Sequence, residues 1–234
     1  MLTILTWKWG SKFSARHVNT LRSMLARRLS LEHRIVCVTD DDAGIDDAIE
    51  TIRLPARHAD SPRCRRRMRQ YDRTFAELIG PRILSLDLDV VITGDITPLV
   101  DRADPLVCWR VEYAGVFSGS IVLMDAGVLD PLWRAFDADP VGYARRAAPR
   151  GVGSDQAMLN WYLSQPSTTI RPAVWTEADG LVTFFGAGYE RLEHRGVGPG
   201  HPHLPPGARL VVLGSDDLYV LEQGERYPWI SEWR

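Results

Sequence analysis

Short hydrophobic runs alternate with helical hydrophobic periodicity through the first half of the chain. Residues 2–6 form an apolar run of the length of one strand. Residues 15–29 then bring four apolar side chains to one face of a predicted helix: Val18, Leu21, Leu25 and Leu29. Two further strands are predicted at 34–38 and 83–86. This alternation predicts an α/β domain with a mostly parallel central sheet and flanking helices.

The segment before the strand at 83–86 carries the signals of one helix. Ser61 is a favourable N-cap, Pro62 suits the first helical position, and Gly80 followed by Pro81 ends the helix. The second half is less regular, with strands predicted at 106–110, 120–124 and 208–213 and helices at 130–136 and 154–163. We expect residues 165–234 to wrap the core and not to fold alone.

Length and composition indicate an ordinary globular protein without a strong overall charge. The 234 residues fit one domain, 1–234, and 45% of them are hydrophobic. A formal net charge of −2 argues against a surface built to coat nucleic acid. The three cysteines are widely separated, which predicts reduced thiols. Neither a signal peptide nor an apolar run of roughly 18 residues is evident, so we expect a cytoplasmic protein without a transmembrane segment.

Two acidic residues interrupt an apolar stretch at Asp87-Leu88-Asp89. Carboxylates at positions i and i+2 of an extended chain point to the same side and can reach one cation. Buried carboxylates are costly unless they are paired or bind a metal, and Mg²⁺ or Mn²⁺ favours oxygen ligands plus substrate phosphates. Two similar pairs, Asp40/Asp42 and Asp137/Asp139, lie in polar surroundings and are predicted to be solvated turns.

The stretch 83–96, which contains Asp87-Leu88-Asp89, resembles the metal-binding segment of bacterial glycosyltransferases of the GT-A fold, close to family 8. Four other segments resemble motifs of that family in the same order: Thr6-Trp7-Lys8-Trp9-Gly10, Phe117-Ser118-Gly119-Ser120, Gly153-Ser154-Asp155-Gln156 and Tyr227-Pro228-Trp229-Ile230. The resemblance implies a GT-A type nucleotide-diphospho-sugar transferase fold. It further implies a nucleotide-binding half at 1–100 and a sugar- and acceptor-binding half at 101–234.

The resemblance also implies roles for individual residues. Asp155 and Gln156 correspond to positions beside the reaction centre. Donor-binding positions correspond to Thr6, Trp7, Lys8, Asp40, Arg67, Asp87, Leu88, Ser118 and Gly119. Ordinary packing is the alternative for Trp7 and a plain turn the alternative for Asp40. The six arginines at 63, 65, 66, 67, 69 and 73 cannot all face one ligand; those other than Arg67 are predicted to be solvated or to meet an anionic acceptor.

The sequence departs from the family pattern at two places. The family supplies a third metal ligand from a His-Gly segment, whereas the matching stretch here reads Leu213-Gly214-Ser215-Asp216-Asp217. Asp217, or its neighbour Asp216, is the candidate substitute beside Asp87 and Asp89. The asparagine of the family's sugar-binding turn is replaced by Phe117.

These features predict a metal-dependent glycosyltransferase that uses a nucleotide-sugar, UDP-linked, and retains the anomeric configuration. The acceptor is open among a glycan, a lipid-linked sugar, a protein and a modified nucleic acid. One alternative is a nucleotidyltransferase that makes nucleotide-sugars, although its glycine-rich phosphate loop is lacking after the first strand. Another is a catalytically impaired binding protein that uses the arginine-rich helix, whose binding to nucleic acid would weaken with salt.

Overall fold

The computed structural model describes residues 1–58, 61–148, 154–186, 188–214 and 216–234. Its strands are β1 (Leu2–Lys8), β2 (His33–Thr39), β3 (Glu50–Arg53), β4 (Arg82–Leu86), β5 (Val90–Ile92), β6 (Leu106–Val111), β7 (Val116–Asp125), β8 (Ala173–Trp175), β9 (Leu181–Thr183) and β10 (Leu210–Val212). Its α-helices are α1 (Ala15–Arg28), α2 (Ala76–Ile79), α3 (Thr97–Val100), α4 (Asp130–Ala138), α5 (Pro140–Ala147) and α6 (Asp155–Leu163). Six 3₁₀ helices occupy Arg63–Tyr71, Arg73–Phe75, Glu177–Asp179, Glu190–Arg195, Leu218–Glu222 and Pro228–Glu232. None of the helices in these ranges has the length and apolar character needed to cross a membrane.

A seven-stranded sheet forms the centre, with strand order β3-β2-β1-β4-β7-β6-β8. Its pairings are parallel except where β7 lies antiparallel between β4 and β6. A smaller sheet, β5-β10-β9, forms beside it. The predicted α/β class with a mostly parallel sheet is confirmed. The sheet order explains the site, because the carboxyl ends of β1 and β4 are neighbours and the start of antiparallel β7 lies beside them.

Alternation along the strands fills a core on each face of the large sheet. On one face, Leu2 and Ile4 of β1 pack with α1 and the small sheet. On the other, Leu5 and Trp7 pack with the helical segment at 63–79 and with α4 and α6. Both faces of β1 are buried over its full length, as expected for a central strand covered on two sides.

The prediction of a single helix between Ser61 and Gly80 is wrong, because the structure has three separate helices there. Pro62 has extended backbone and precedes the 3₁₀ helix Arg63–Tyr71. Asp72 is again extended, with φ −70° and ψ 125°, and its carboxylate accepts hydrogen bonds of 2.9 Å from the backbone N and the hydroxyl of Thr74. Such side-chain bonds compete with the helical ladder, so the segment divides into three short helices. Because residues i and i+3 eclipse in a 3₁₀ helix, Cys64 and Arg67 share one face.

The other predicted elements are present, with small shifts at their ends. The strand predicted at 120–124 begins earlier, at Val116, and so includes the whole Ser118-Gly119 turn candidate. Strands β3, β5, β8 and β9 escaped prediction because each has only three or four residues and lies at a sheet edge. Residues 165–234 supply β8, β9 and β10, so this part of the chain joins both sheets.

Replacing Leu84 by alanine tests the central position of β4. Leu84 is fully buried, so Leu84→Ala is expected to lower the free energy of unfolding by about 2–5 kcal/mol. Leu78→Ala is the matched control, because Leu78 is 56% exposed and its loss is expected to cost under ~0.5 kcal/mol. Urea unfolding of both variants gives the comparison. Equal losses would contradict the described core.

Candidate active site

The Asp87-Leu88-Asp89 segment lies where β4 ends and β5 begins. The backbone N of Asp87 donates to the carbonyl oxygen of Ser120 at 3.0 Å. The carbonyl oxygen of Asp89 accepts from the backbone N of Leu213 at 2.8 Å. The segment is therefore held on one side by β7 and on the other by the residue that follows β10. The two hydrogen bonds bring residues 87–89 together with residues 120 and 213, which are distant in the sequence.

The Arg67 guanidinium joins the predicted site residues from three different elements. It lies 2.5 Å from a carboxylate oxygen of Asp87 and 3.5 Å from one of Asp155, and it donates to the carbonyl oxygen of Gly119 at 3.0 Å. Burial opposes its charge, but Asp87 and Asp155 outweigh burial and raise the pKa of Arg67. The arginine is therefore a permanent cation that neutralises carboxylates contributed by β4 and α6.

Asp89 is the least compensated acid of the group. Its side-chain Oδ1 is buried and has no hydrogen-bond donor among the described residues. Burial, followed by the charge of Asp87, raises the pKa of Asp89 to about 7. A buried carboxylate oxygen without a partner is costly unless a proton or a cation satisfies it. The Asp87/Asp89 pair thus fits a hard divalent cation in its donor chemistry.

The candidate third ligand stands apart from this pair. Within the described ranges, no group of three or more acidic, histidine or cysteine side chains is arranged to hold a metal ion. The Asp217 carboxylate fills the space beside Gly186, where an added Cβ would lie 2.0 Å from Oδ1. Burial and the neighbouring Asp216 raise the pKa of Asp217. The role of Asp217 as a metal ligand stays a prediction.

A cavity of about 140 Å³ opens on one side of Asp87 and Asp89. We call it the tryptophan cavity; its lining is Trp7, Trp9, Lys12, Phe13, Cys64, Arg67, Asp87, Leu88 and Asp89. The indole Nε1 of Trp7 is buried there without an acceptor among the described residues. The guanidinium of Arg66 lies 5.0 Å from the centre of the Trp9 ring. The cavity thus combines aromatic faces with positive charge.

Five predicted donor-binding residues do not line the tryptophan cavity; two of them, Ser118 and Gly119, belong to β7, and the other three lie at β1 and after β2. Thr6 is fully buried in β1. The Lys8 ammonium is buried and donates to the carbonyl oxygen of Asp41 at 2.7 Å. The Asp40 carboxylate accepts from the backbone N of Gly10 at 2.9 Å. Lys8 and Asp40 therefore join the loop after β1 to the loop after β2, which shapes one wall of the site.

A second cavity, of about 280 Å³, is lined by residues of β6, β7, α6 and the C-terminal part of the chain. We call it the tyrosine cavity, after Tyr113 and Tyr189 in its lining. Its polar lining includes Ser118, Ser120, Gln156, Thr183 and Asp217, and its apolar lining includes Trp109, Val116, Phe184, Phe185 and Leu213. Of the predicted residues, it contains Ser118, Gln156 and Asp217.

Helix α6 is docked closely on β7 by polar contacts. Asn160 accepts from the backbone N of Phe117 and donates to its carbonyl oxygen, both at 2.8 Å. The Gln156 side-chain oxygen accepts from the backbone N of Gly119 at 2.9 Å. A Cβ on Gly119 would lie 3.2 Å from the Cβ of Gln156, so only glycine lets the strand and the helix come this close. Asp155, at the start of α6, is thereby held beside Arg67, and burial raises its pKa although Arg67 opposes the rise.

The arginines of the segment at 63–73 are more engaged than predicted. Arg66 stacks on Trp9, and Arg69 contacts Asp72 at 2.5 Å and lies over the Trp133 ring. Arg65, Arg66 and Arg69 are partly buried. One of the two alternatives, that the arginines other than Arg67 form a solvated face, is therefore wrong for Arg66 and Arg69, because aromatic and acidic neighbours hold them against the protein.

Several lining residues escaped the sequence reasoning. Lys12 and Phe13 follow the first strand in a polar loop, and nothing in their spacing indicates a cavity. Asn160 lies one helical turn after Gln156, which is a signal that could have been used. Tyr113 and Tyr189 belong to loops far apart in sequence and meet only in the fold.

No protein-family model matches the sequence, and no curated protein sequence is significantly similar to it. The solved structures that resemble the fold include the glycosyltransferase GlyE of Streptococcus pneumoniae TIGR4. The similarity covers 100% of this chain and 61% of the GlyE chain, with a TM-score of 0.63 and 16% sequence identity. The chain thus spans about three-fifths of the length of that structure. The predicted GT-A type fold is confirmed, whereas the closer resemblance to family 8 stays a prediction.

Proposed function

We propose that this chain is a glycosyltransferase that transfers a sugar from a UDP-linked nucleotide-sugar to an acceptor. The observation that carries the proposal is the Arg67 bridge. It joins Asp87 and Asp155 at 2.5 and 3.5 Å beside the tryptophan cavity, and it donates to the carbonyl oxygen of Gly119, whose neighbours Ser118 and Ser120 line the tyrosine cavity. The similarity of the fold to that of GlyE supports the same chemistry.

The linings of the two cavities differ in chemistry, and each lining suits a different part of a nucleotide-sugar. The tryptophan cavity has aromatic faces and the cations Lys12 and Arg67, which suit a base and a diphosphate. The tyrosine cavity has hydroxyl and amide groups, which suit a sugar. The first draws its residues from 7–89 and the second from 109–217, in keeping with a nucleotide-binding half at 1–100 and a sugar- and acceptor-binding half at 101–234.

We propose that Asp87 and Asp89 hold a divalent cation, Mn²⁺ or Mg²⁺. Such a cation supplies neutralisation of the departing diphosphate. The buried, unpartnered Oδ1 of Asp89 supports this assignment. Arg67 holds the Asp87 carboxylate in place, and it adds a second positive charge at the same edge of the cavity.

Asp155 and Gln156 are our candidates for the reaction centre. Gln156 lines the tyrosine cavity, and its bond to Gly119 fixes the direction of its side chain. Asp155 is buried against Arg67, which favours a positioning role for its carboxylate. Transfer with retention of configuration follows from the family resemblance. The cysteines Cys37, Cys64 and Cys108 are free, which favours a reducing compartment, and we propose the cytoplasm.

Donor identity is tested by thermal unfolding with a panel of nucleotide-sugars in the presence and absence of Mn²⁺. A ligand that binds only the folded protein raises its melting temperature, so one UDP-sugar is expected to give a Mn²⁺-dependent rise. Turnover of that donor is expected to release UDP. Release of pyrophosphate would favour a nucleotidyltransferase instead. Absence of any shift across the panel would contradict the proposal.

Asp89→Asn is expected to abolish metal binding without lowering the stability of the metal-free protein. The substitution removes a buried charge that lacks a hydrogen-bond partner, so the metal-free variant is expected to unfold at the same or a higher temperature. The Mn²⁺-dependent rise with the donor is expected to disappear, together with turnover. Asp42→Asn is the matched control, because Asp42 belongs to another Asp-x-Asp pair and is exposed. A variant at position 89 that keeps the full Mn²⁺ response would contradict the assignment.

The stability of the metal-free protein is expected to depend on pH through Asp89. Its folded pKa of about 7 lies above the value near 3.9 in an unfolded chain. Between these values the folded state holds a proton that the unfolded state has lost. The contribution of Asp89 to the free energy of unfolding is therefore fully present below about pH 4 and is lost as the pH rises to about 7.

Urea unfolding of the wild type and Asp89→Asn between pH 4.5 and 8 measures this contribution. The wild type is expected to lose stability relative to the variant, by at most about 1.4 kcal/mol per pH unit. Comparison with the variant removes the effect of every other titrating group. A difference that stays constant with pH would show that Asp89 is ionised throughout.

A further inference from the structure

The mouth of the tyrosine cavity carries aromatic rings that the proposed donor chemistry leaves unused. Tyr189 is 54% exposed and Tyr113 is 37% exposed, although both line the cavity. Large apolar rings are rarely left this open without a ligand or partner when they border a cavity with convergent polar groups. Their arrangement therefore indicates what the cavity accepts.

The rings form one cluster across two loops. Tyr113 packs edge-on against Phe185, with ring centroids 5.1 Å apart and an angle of 66°. Partial burial raises the pKa of Tyr113, and so do the nearby Tyr189 and Glu177. Tyr113 therefore packs against Phe185 and lies near Tyr189. A tyrosine held in this way presents a rigid apolar face with a hydroxyl at its end.

The tyrosine cavity differs from the tryptophan cavity in the cations of its described lining, because Lys12 and Arg67 line only the tryptophan cavity. Among its described lining residues Asp217 is the charged one, and there is no lysine, arginine or histidine. Glu177 lies near Tyr113 and adds negative charge at the mouth. A phosphorylated or otherwise anionic acceptor would be desolvated there without a cation, next to like charge.

Polar groups line the inner part of the same cavity. Ser118, Ser120 and Thr183 present hydroxyl groups, and Gln156 is oriented by Gly119. The volume of about 280 Å³ is near the lower end of the ~300–1,000 Å³ common for ligand sites. It suits one or two sugar rings, whose hydroxyl edges need hydrogen bonds and whose C–H faces pack on aromatic rings.

We propose that the acceptor is a neutral saccharide whose ring stacks on Tyr113 and Tyr189 at the mouth of the tyrosine cavity. This rests on the proposed function and narrows its acceptor class. The donor sugar lies at the inner end beside Gln156, and the acceptor lies at the tyrosine rim. A nucleic acid or a phosphorylated sugar is disfavoured, because the described lining of the cavity has an acid and no cation to meet a phosphate.

Binding to the intact protein tests the proposal without turnover. The probes are the methyl glycosides of glucose, galactose and N-acetylglucosamine, with glucose 6-phosphate as the anionic counterpart, followed by saturation-transfer NMR. At least one neutral glycoside is expected to bind, and glucose 6-phosphate is expected to bind at least about tenfold more weakly. Equal or tighter binding of the phosphorylated sugar, or no binding of any neutral glycoside, would overturn the proposal.

Variants separate ring stacking from the tyrosine hydroxyl. Tyr189→Ala is expected to weaken glycoside binding by about tenfold, because it removes the stacking face. Tyr189→Phe keeps the ring and is expected to restore most of the affinity. Tyr219→Ala is the control, because Tyr219 is 48% exposed and lies outside the cavity lining. Unchanged binding by Tyr189→Ala would overturn the assignment.

The same samples keep this proposal distinct from the proposed function. The rise in melting temperature with UDP and Mn²⁺ reports the tryptophan cavity and does not need an acceptor. UDP binding without glycoside binding would be consistent with the glycosyltransferase proposal and would contradict a neutral-saccharide site at Tyr113 and Tyr189. Glycoside binding without UDP binding would retain the saccharide site and would contradict the transferase.

Discussion

Compensation of buried negative charge at the end of β4 is the constraint on which the site depends. Asp87 and Asp155 come from different parts of the chain, and the guanidinium of Arg67 lies between them and offsets the negative charge of both. The same guanidinium binds the carbonyl oxygen of Gly119, so strand β7 is fixed by it as well. One positive charge does not balance three acids, and Asp89 is left with an unpartnered oxygen. That residual demand for positive charge is what a substrate-bound cation or a proton would meet.

The position of Arg67 also determines how the linings of the two cavities differ in charged groups. The tryptophan cavity contains Arg67 itself together with Lys12, and is therefore suited to phosphate. The tyrosine cavity lies behind the Gly119–Gln156 contact and has no cation in its described lining. The described lining therefore offers cations to an anionic group in the tryptophan cavity and none in the tyrosine cavity.

Local patterning predicted much of the fold and the centre of the site. Apolar runs fixed β1, β2 and β4, and the polar interruption at Asp87 and Asp89 identified the site because a carboxylate there conflicts with burial. The single helix at 61–80 was wrong, since the side chain of Asp72 captures Thr74 in competition with the backbone. Tyr113 and Tyr189 could not be predicted, because their meeting depends on the packing of distant loops. The engagement of Arg66 and Arg69 likewise depends on aromatic neighbours from other elements.

The small sheet has a consequence for the order in which the protein acquires its structure. Asp89 is followed by β5, and β5 pairs with β10, far along the chain. The carbonyl oxygen of Asp89 likewise accepts its hydrogen bond from the backbone N of Leu213, which is synthesised much later. On a ribosome, β1, β2 and β4 can associate early, whereas the second acid of the site gains its final neighbours only after residue 213 has emerged. Strands β1, β2 and β4 can therefore pair before the backbone at Asp89 reaches its final hydrogen bond.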